Sequence, residues 1–198
     1  MDNNFDLEDW LTKNVKLAFH VLGVEKYPIK LEFNYNRQDT AAGQFFDDKN
    51  TIEFCVNNLL KTNLPLDVYA AYVAFHEVRH VYQFFCKRPY RALGIAPDDY
   101  KEYRRLHDLD TGIYPENCDG ENRNRFVLRP RELDATAFGG KLVLTLYGYN
   151  LKILSDEQRE KMLPYMQIFD TYLKEKAEKI NLADFGCELP QTPGEAAP

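Results

Sequence analysis

A chain of 198 residues, 44% hydrophobic and 28% charged, is long enough to bury a sizeable core and has the composition of one soluble globular domain. A net charge of -6 and the lack of any long lysine or arginine run argue against nucleic acid as a partner. No apolar run reaches the roughly 20 residues that cross a bilayer, and the acidic opening MDNNFDLEDW lacks the positive and apolar regions of a secretory signal, so no membrane association is expected.

The four cysteines, Cys55, Cys86, Cys118 and Cys187, are scattered and form no C-x-x-C pair, which fits reduced thiols and a cytoplasmic location. KRPYR at 87–91, the densest basic cluster, reads as a solvated helix end.

In chain order, Leu7, Trp10, Leu11, Val15, Ala18, Phe19 and Leu22 recur at helical spacing and predict a helix closed by Gly23. His20 sits beside its apolar face and reads as a partly buried structural histidine rather than a ligand. The alternation of Ile29, Leu31, Phe33 and Tyr35 predicts a strand. A second extended stretch covers Gly43 to Phe46, DDKN at 47–50 signals a tight turn, and TIEFCV at 51–56 reads as a third strand. The expected product is a small antiparallel sheet.

Residues 57–63 predict a short helix or turn. Pro65 and Asp67 suit the start of a long helix that runs to about residue 87, ahead of Pro89. That helix is apolar almost all round, so it should be central. The 88–128 stretch is expected to contain at least one helical piece, near 97–107, and a polar loop, and reads as an insert forming a lid or cleft wall. Pro130 opens another helix. S-D-E-Q from Ser155 has the form of a capping box before a last helix, which Pro164 is expected to break or kink before it runs on to about Ile180. The chain thus reads as an α+β fold in a single domain over 1–187, with 188–198 a disordered tail.

The central helix carries HEVRH, residues 76–80. Residues four apart share a helix face, so His76 and His80 can both direct imidazole nitrogens at one cation. Glu77 is rotated by about 100° from His76, too far round for a third ligand but placed to reach a water on that cation. The competing reading is an amphipathic helix that happens to spell the motif. It would leave two histidines and a glutamate on a central helix with nothing to satisfy them, which is costly.

A catalytic zinc centre needs a third protein ligand and an open position. An extended H-E-x-x-H-x-x-G-x-x-H motif is absent, because Gln83 and Cys86 stand at its glycine and last-histidine positions. The candidates are His20, His107 and Glu132. Glu132 is favoured, since Pro130 places it in the first turn of a separate helix, where its charge suits the helix dipole.

HEVRH followed by Glu132, Ala135 and Phe138 in an E-x-x-A-x-x-F arrangement resembles the gluzincin-type zinc peptidases, especially the small ImmA/IrrE-like members. The likeness in element order spans about residues 5–147. The resemblance implies a zincin-like fold, a small sheet packed on the central HExxH helix, with Zn2+ held by His76, His80 and Glu132 and Glu77 as general base. Many gluzincins place an acid four residues after the ligand glutamate to orient a zinc histidine. Here that position is Thr136, whose hydroxyl offers a weaker version.

Asp134 is expected to be structural or an outer partner of the site. Gln83, one turn beyond His80, and Arg79 are candidates for outer contacts or substrate contacts, with a salt bridge the alternative for Arg79. Asp108, Asp110 and Asp119 lack the spacing of a calcium loop and read as a solvated acidic loop. Tyr82, Tyr103 and Tyr114 are candidates for an oxyanion-stabilising hydroxyl, although packing is the better reading of each.

The functional expectation is a zinc metallopeptidase acting on a peptide or protein substrate. The alternative is a binding module with a structural metal that docks a regulatory protein, and a weaker one is another metal-assisted hydrolysis.

Overall fold

The computed structural model describes residues 5–37, 40–86, 129–151 and 156–189. The 88–128 insert, with the helix expected near 97–107, His107, Tyr103, Tyr114, Cys118 and the three loop aspartates, lies outside the described residues. So do KRPYR, Ser155 and residues 190–198.

The fold is α+β. Helix α1 spans Leu7–Leu22, strands β1 to β3 span Lys30–Asn34, Gly43–Phe46 and Thr51–Cys55, and a short helix α2 spans Val56–Leu59. Two long helices follow, α3 over Leu66–Phe85 and α4 over Pro130–Tyr147. Helix α5 covers Asp156–Ala177, and a 3-10 turn, η1, covers Leu182–Phe185.

Helix α3 is the hub. Helices α1 and α4 and strand β2 pack on it, and α5 packs on α4. Val68, Ala70, Tyr72, Val73, Ala74, Val78 and Tyr82 are buried around its circumference, which agrees with its all-round apolar sequence. The start of α1 is fixed by the Asp6 side chain, which accepts from the backbone N–H groups of Glu8 and Asp9 at 3.1 Å each. Gly23 ends α1 in the left-handed region at φ 68°. The Trp10 indole donates to the Asp67 carbonyl at 2.7 Å and ties α1 to the first turn of α3.

Among the described residues the sheet has three strands, as expected, but it is mixed rather than antiparallel. Its order is β1-β3-β2, with β3 antiparallel to β2 and parallel to β1. The reason is the connection. The DDKN turn makes β2 and β3 a hairpin, with Asn50 in the left-handed region at φ 49°. Strand β1 ends and β2 begins beside the Cys55 end of β3, and the two flank that strand from opposite sides. Asn57 and Asn58 hold this crossing by donating to the carbonyls of Tyr35 and Ala41.

Three further expectations are corrected. His20 is exposed and pairs with Glu25 at 2.8 Å. Tyr35 lies beyond β1 and is exposed, not on its inner face. Of the break or kink expected at Pro164, the break does not occur: α5 runs on through Pro164, and Pro164 and Glu160 both face solvent, where the carbonyl left without its N–H partner can meet water.

Cys55, Cys86 and Cys187 are buried thiols. No helix among the described residues is long and apolar enough to cross a membrane.

Candidate metal centre

Helix α3 brings His76 and His80 one turn apart, with their Nε2 atoms 3.0 Å from each other. Helix α4 starts with Pro130 at its first position, and Glu132 follows in the first turn. Glu132 Oε2 lies 3.5 Å from His76 Nε2 and 3.4 Å from His80 Nε2. Four ligands around a tetrahedral zinc at its usual bond lengths stand about 3.3–3.4 Å apart. The triangle therefore has the dimensions of one face of such a site. It is a group of three potential ligand side chains whose donor atoms all lie within 4.8 Å of one another.

Electrostatics agree with a cation-binding role. Burial opposes a charge on Glu132, but His80 and His76 overcome it and hold its carboxyl well below the usual carboxylate range. With neutral imidazoles, two ring nitrogens and a carboxylate oxygen would converge there as acceptors, an arrangement that a bound cation relieves.

Glu77 lies beside this triangle rather than in it. Burial pushes its carboxyl up to about 7; His76 opposes the shift, the charge of Glu132 adds to it, and the Phe45 N–H and Arg131 oppose it. The Phe45 N–H donates to the Glu77 carboxylate. Strand β2 makes this contact because Gly43 lets it lie on α3. A β-carbon at position 43 would stand 2.8 Å from Val73 Cγ1 and 2.9 Å from Glu77 Cγ.

Among the described residues, strand β2 pairs only with β3, so its other side is a sheet edge there. The Cys55 N–H donates to the Ala42 carbonyl at 2.9 Å. Backbone groups alternate direction along an antiparallel ladder, so those of Gly43 and Phe45 face away from β3.

The outer nitrogens of both histidines have partners. His80 Nδ1 meets Gln83 Oε1 at 2.9 Å. Thr136 Oγ1 stands 3.5 Å from His76 Nδ1 and also hydrogen-bonds Tyr72. Asp134 is fully buried and accepts from Arg79 Nε at 2.8 Å and from Gln83 Nε2 at 2.7 Å. Arg79 is fully buried too, with its guanidinium against the rings of Tyr82, Phe138 and Phe169.

The expected residues thus divide. His76, His80, Glu132 and Glu77 come together, and Gln83 and Thr136 back the histidines. Asp134 stands behind Gln83. Arg79 is the salt bridge rather than a substrate contact, since no part of it reaches solvent. Tyr82 is packed under Arg79. The sequence reading passed over Tyr72, whose ring centroid lies 6.0 Å from that of His76. Its position one turn before His76 on the same helix face was the available signal.

Comparison of the chain with protein-family models, with curated proteins and with solved structures yields no match. Fold and site together describe an α+β chain with a candidate two-histidine, one-carboxylate metal group and an adjacent buried glutamate.

Proposed function

We propose that this protein is a zincin-like, zinc-dependent peptidase of the gluzincin type, acting in the cytoplasm. The observation that carries the reading is the convergence of His76, His80 and Glu132 from two separate helices at zinc-like donor spacing, with Glu77 alongside. His76, His80 and Glu132 hold the ion and leave a position for water. Zinc bound there supplies Lewis acidity toward water and a peptide carbonyl.

Glu77 is the general base. Its raised pKa suits it to take the proton from the attacking water and return it to the leaving amine. The edge of β2 offers the Gly43 N–H and carbonyl and the Phe45 carbonyl to an extended peptide, which sets the scissile bond against Glu77. Gln83 and Thr136 hold the imidazoles, and Asp134 with Arg79 forms a buried support behind Gln83.

The alternative, a docking module with a structural metal, has no use for a buried base held against the metal group by a strand edge. The deciding experiment is metal analysis of the purified protein and of Glu132→Ala, together with peptide hydrolysis by wild type and Glu77→Gln. One equivalent of zinc in the wild type, its loss in Glu132→Ala, and zinc retained without turnover in Glu77→Gln are expected. A biological effect that survives Glu77→Gln would instead support docking.

A further inference from the structure

Gln83 makes four hydrogen bonds that only one amide orientation satisfies. Its Nε2 donates to the Arg131 carbonyl at 3.0 Å and to Asp134 Oδ2 at 2.7 Å. Its Oε1 accepts from Arg131 Nε at 3.0 Å and faces His80 Nδ1 at 2.9 Å. Rotating the amide by half a turn would aim the carbonyl oxygen at a carboxylate and a carbonyl, and the NH2 at a guanidinium N–H. Both faces would then be repulsive.

Asp134 cannot relax to admit that rotation, because Arg79 Nε holds the same oxygen at 2.8 Å and both residues are fully buried. The amide oxygen of Gln83 has no proton to give. His80 Nδ1 must therefore carry the proton in this contact, which leaves His80 Nε2 as a bare acceptor. That atom is the one that faces His76 Nε2 and Glu132 Oε2.

We infer that Gln83 is a positioning residue that fixes the tautomer of His80, with Asp134 and Arg131 fixing Gln83 in turn, so that the His80 Nε2 lone pair is committed to the cation before any cation arrives. The inference rests on the metal reading for its purpose but not for its geometry. Nothing in the H-E-x-x-H spacing requires it, because either ring nitrogen of a helical histidine can ligate. A divalent cation gains by not having to displace a proton from Nε2 or reorient the ring. The chemistry of the ligand is that of a small divalent ion that accepts imidazole nitrogen.

The test is NMR of the metal-free protein with 15N-labelled histidine at about pH 8.5, where an ordinary imidazole is neutral. The wild type should show His80 protonated at Nδ1, with a slowly exchanging Nδ1–H. Gln83→Met, similar in size and helix-forming, should lose that protection, and the proton should then also be found on His80 Nε2, beside His76. Zinc affinity, measured by competition, should fall about 10–100-fold in that variant.

A bare Nδ1 on His80 in the wild type overturns the inference, and that measurement needs no variant to fold. So does a Gln83→Met spectrum identical to wild type. Should wild type bind no zinc, the metal reading falls, while the His80 Nδ1 signal still decides the role of Gln83.

Discussion

Gly43 and Glu77 lie so close that a β-carbon on the first would stand 2.9 Å from Cγ of the second. A strand edge and the proposed base are thus built against each other, and the single missing methyl group permits it. Gly43→Ala should cost about 1–3 kcal/mol in stability, as overpacking does. It should also lower turnover, because β2 must lift and the Phe45 N–H must leave Glu77. Denaturant titration beside peptide hydrolysis checks both. A variant as active and stable as wild type would mean that β2 does not hold Glu77.

Glu77 also predicts a pH dependence in the metal-free chain. Its carboxyl is pushed up to about 7 from the ordinary value near 4.5. Between these values the folded chain keeps a proton that the unfolded chain releases, so its contribution to stability falls as pH rises through that window. The full span is roughly 3 kcal/mol. Glu77→Gln mimics the protonated form and should remove the slope. Urea midpoints measured at steps of pH for the two proteins check the sign, and parallel curves would rule it out.

Catalysis and metal binding should separate cleanly at the site. Glu77→Gln should lower kcat by about 100-fold to 10,000-fold or more, with zinc content unchanged. Glu132→Ala should lose zinc, and activity with it. The readouts are metal analysis and kinetics on the same preparations; zinc lost in Glu77→Gln would contradict the assignment of roles.

The Arg79–Asp134 pair is fully buried. Removing one partner strands a charge, so Arg79→Leu or Asp134→Leu alone should cost about 3–5 kcal/mol. The double replacement should recover most of that loss, because hydrophobic residues of similar size fill such sites at little cost. A double-mutant cycle from denaturation curves measures this; additive losses would show that the pair is not coupled.

A chelator should lower the melting temperature of zinc-loaded wild type and leave Glu132→Ala unmoved. An ion that binds only the folded state stabilises it by mass action. Thermal scans with and without added zinc provide the comparison.

The long helices and the site were legible for one reason: the signals were local. Helical spacing located α1 and α3, His76 and His80 are separated by one turn, and Pro130 put Glu132 near the start of α4. What failed needed information that local pattern does not carry. Alternation in β1 tells which residues share a face but not which neighbour the strand takes, so its parallel pairing with β3 was not visible. His20 borders the apolar stripe of α1, and only the packed neighbours decide that it faces water. Arg79 and Asp134 are 55 positions apart, and their pairing follows from how α3 and α4 meet.

The only tryptophan in the sequence, Trp10, is buried where α1 meets α3, with its indole on the Asp67 carbonyl and the rings of Phe5 and Tyr147 about 6 Å away. Intrinsic fluorescence is therefore a built-in gauge of one event, the seating of the first helix against the helix that carries both histidines. A change in emission that precedes loss of far-ultraviolet ellipticity would reveal that seam opening before the helices themselves melt.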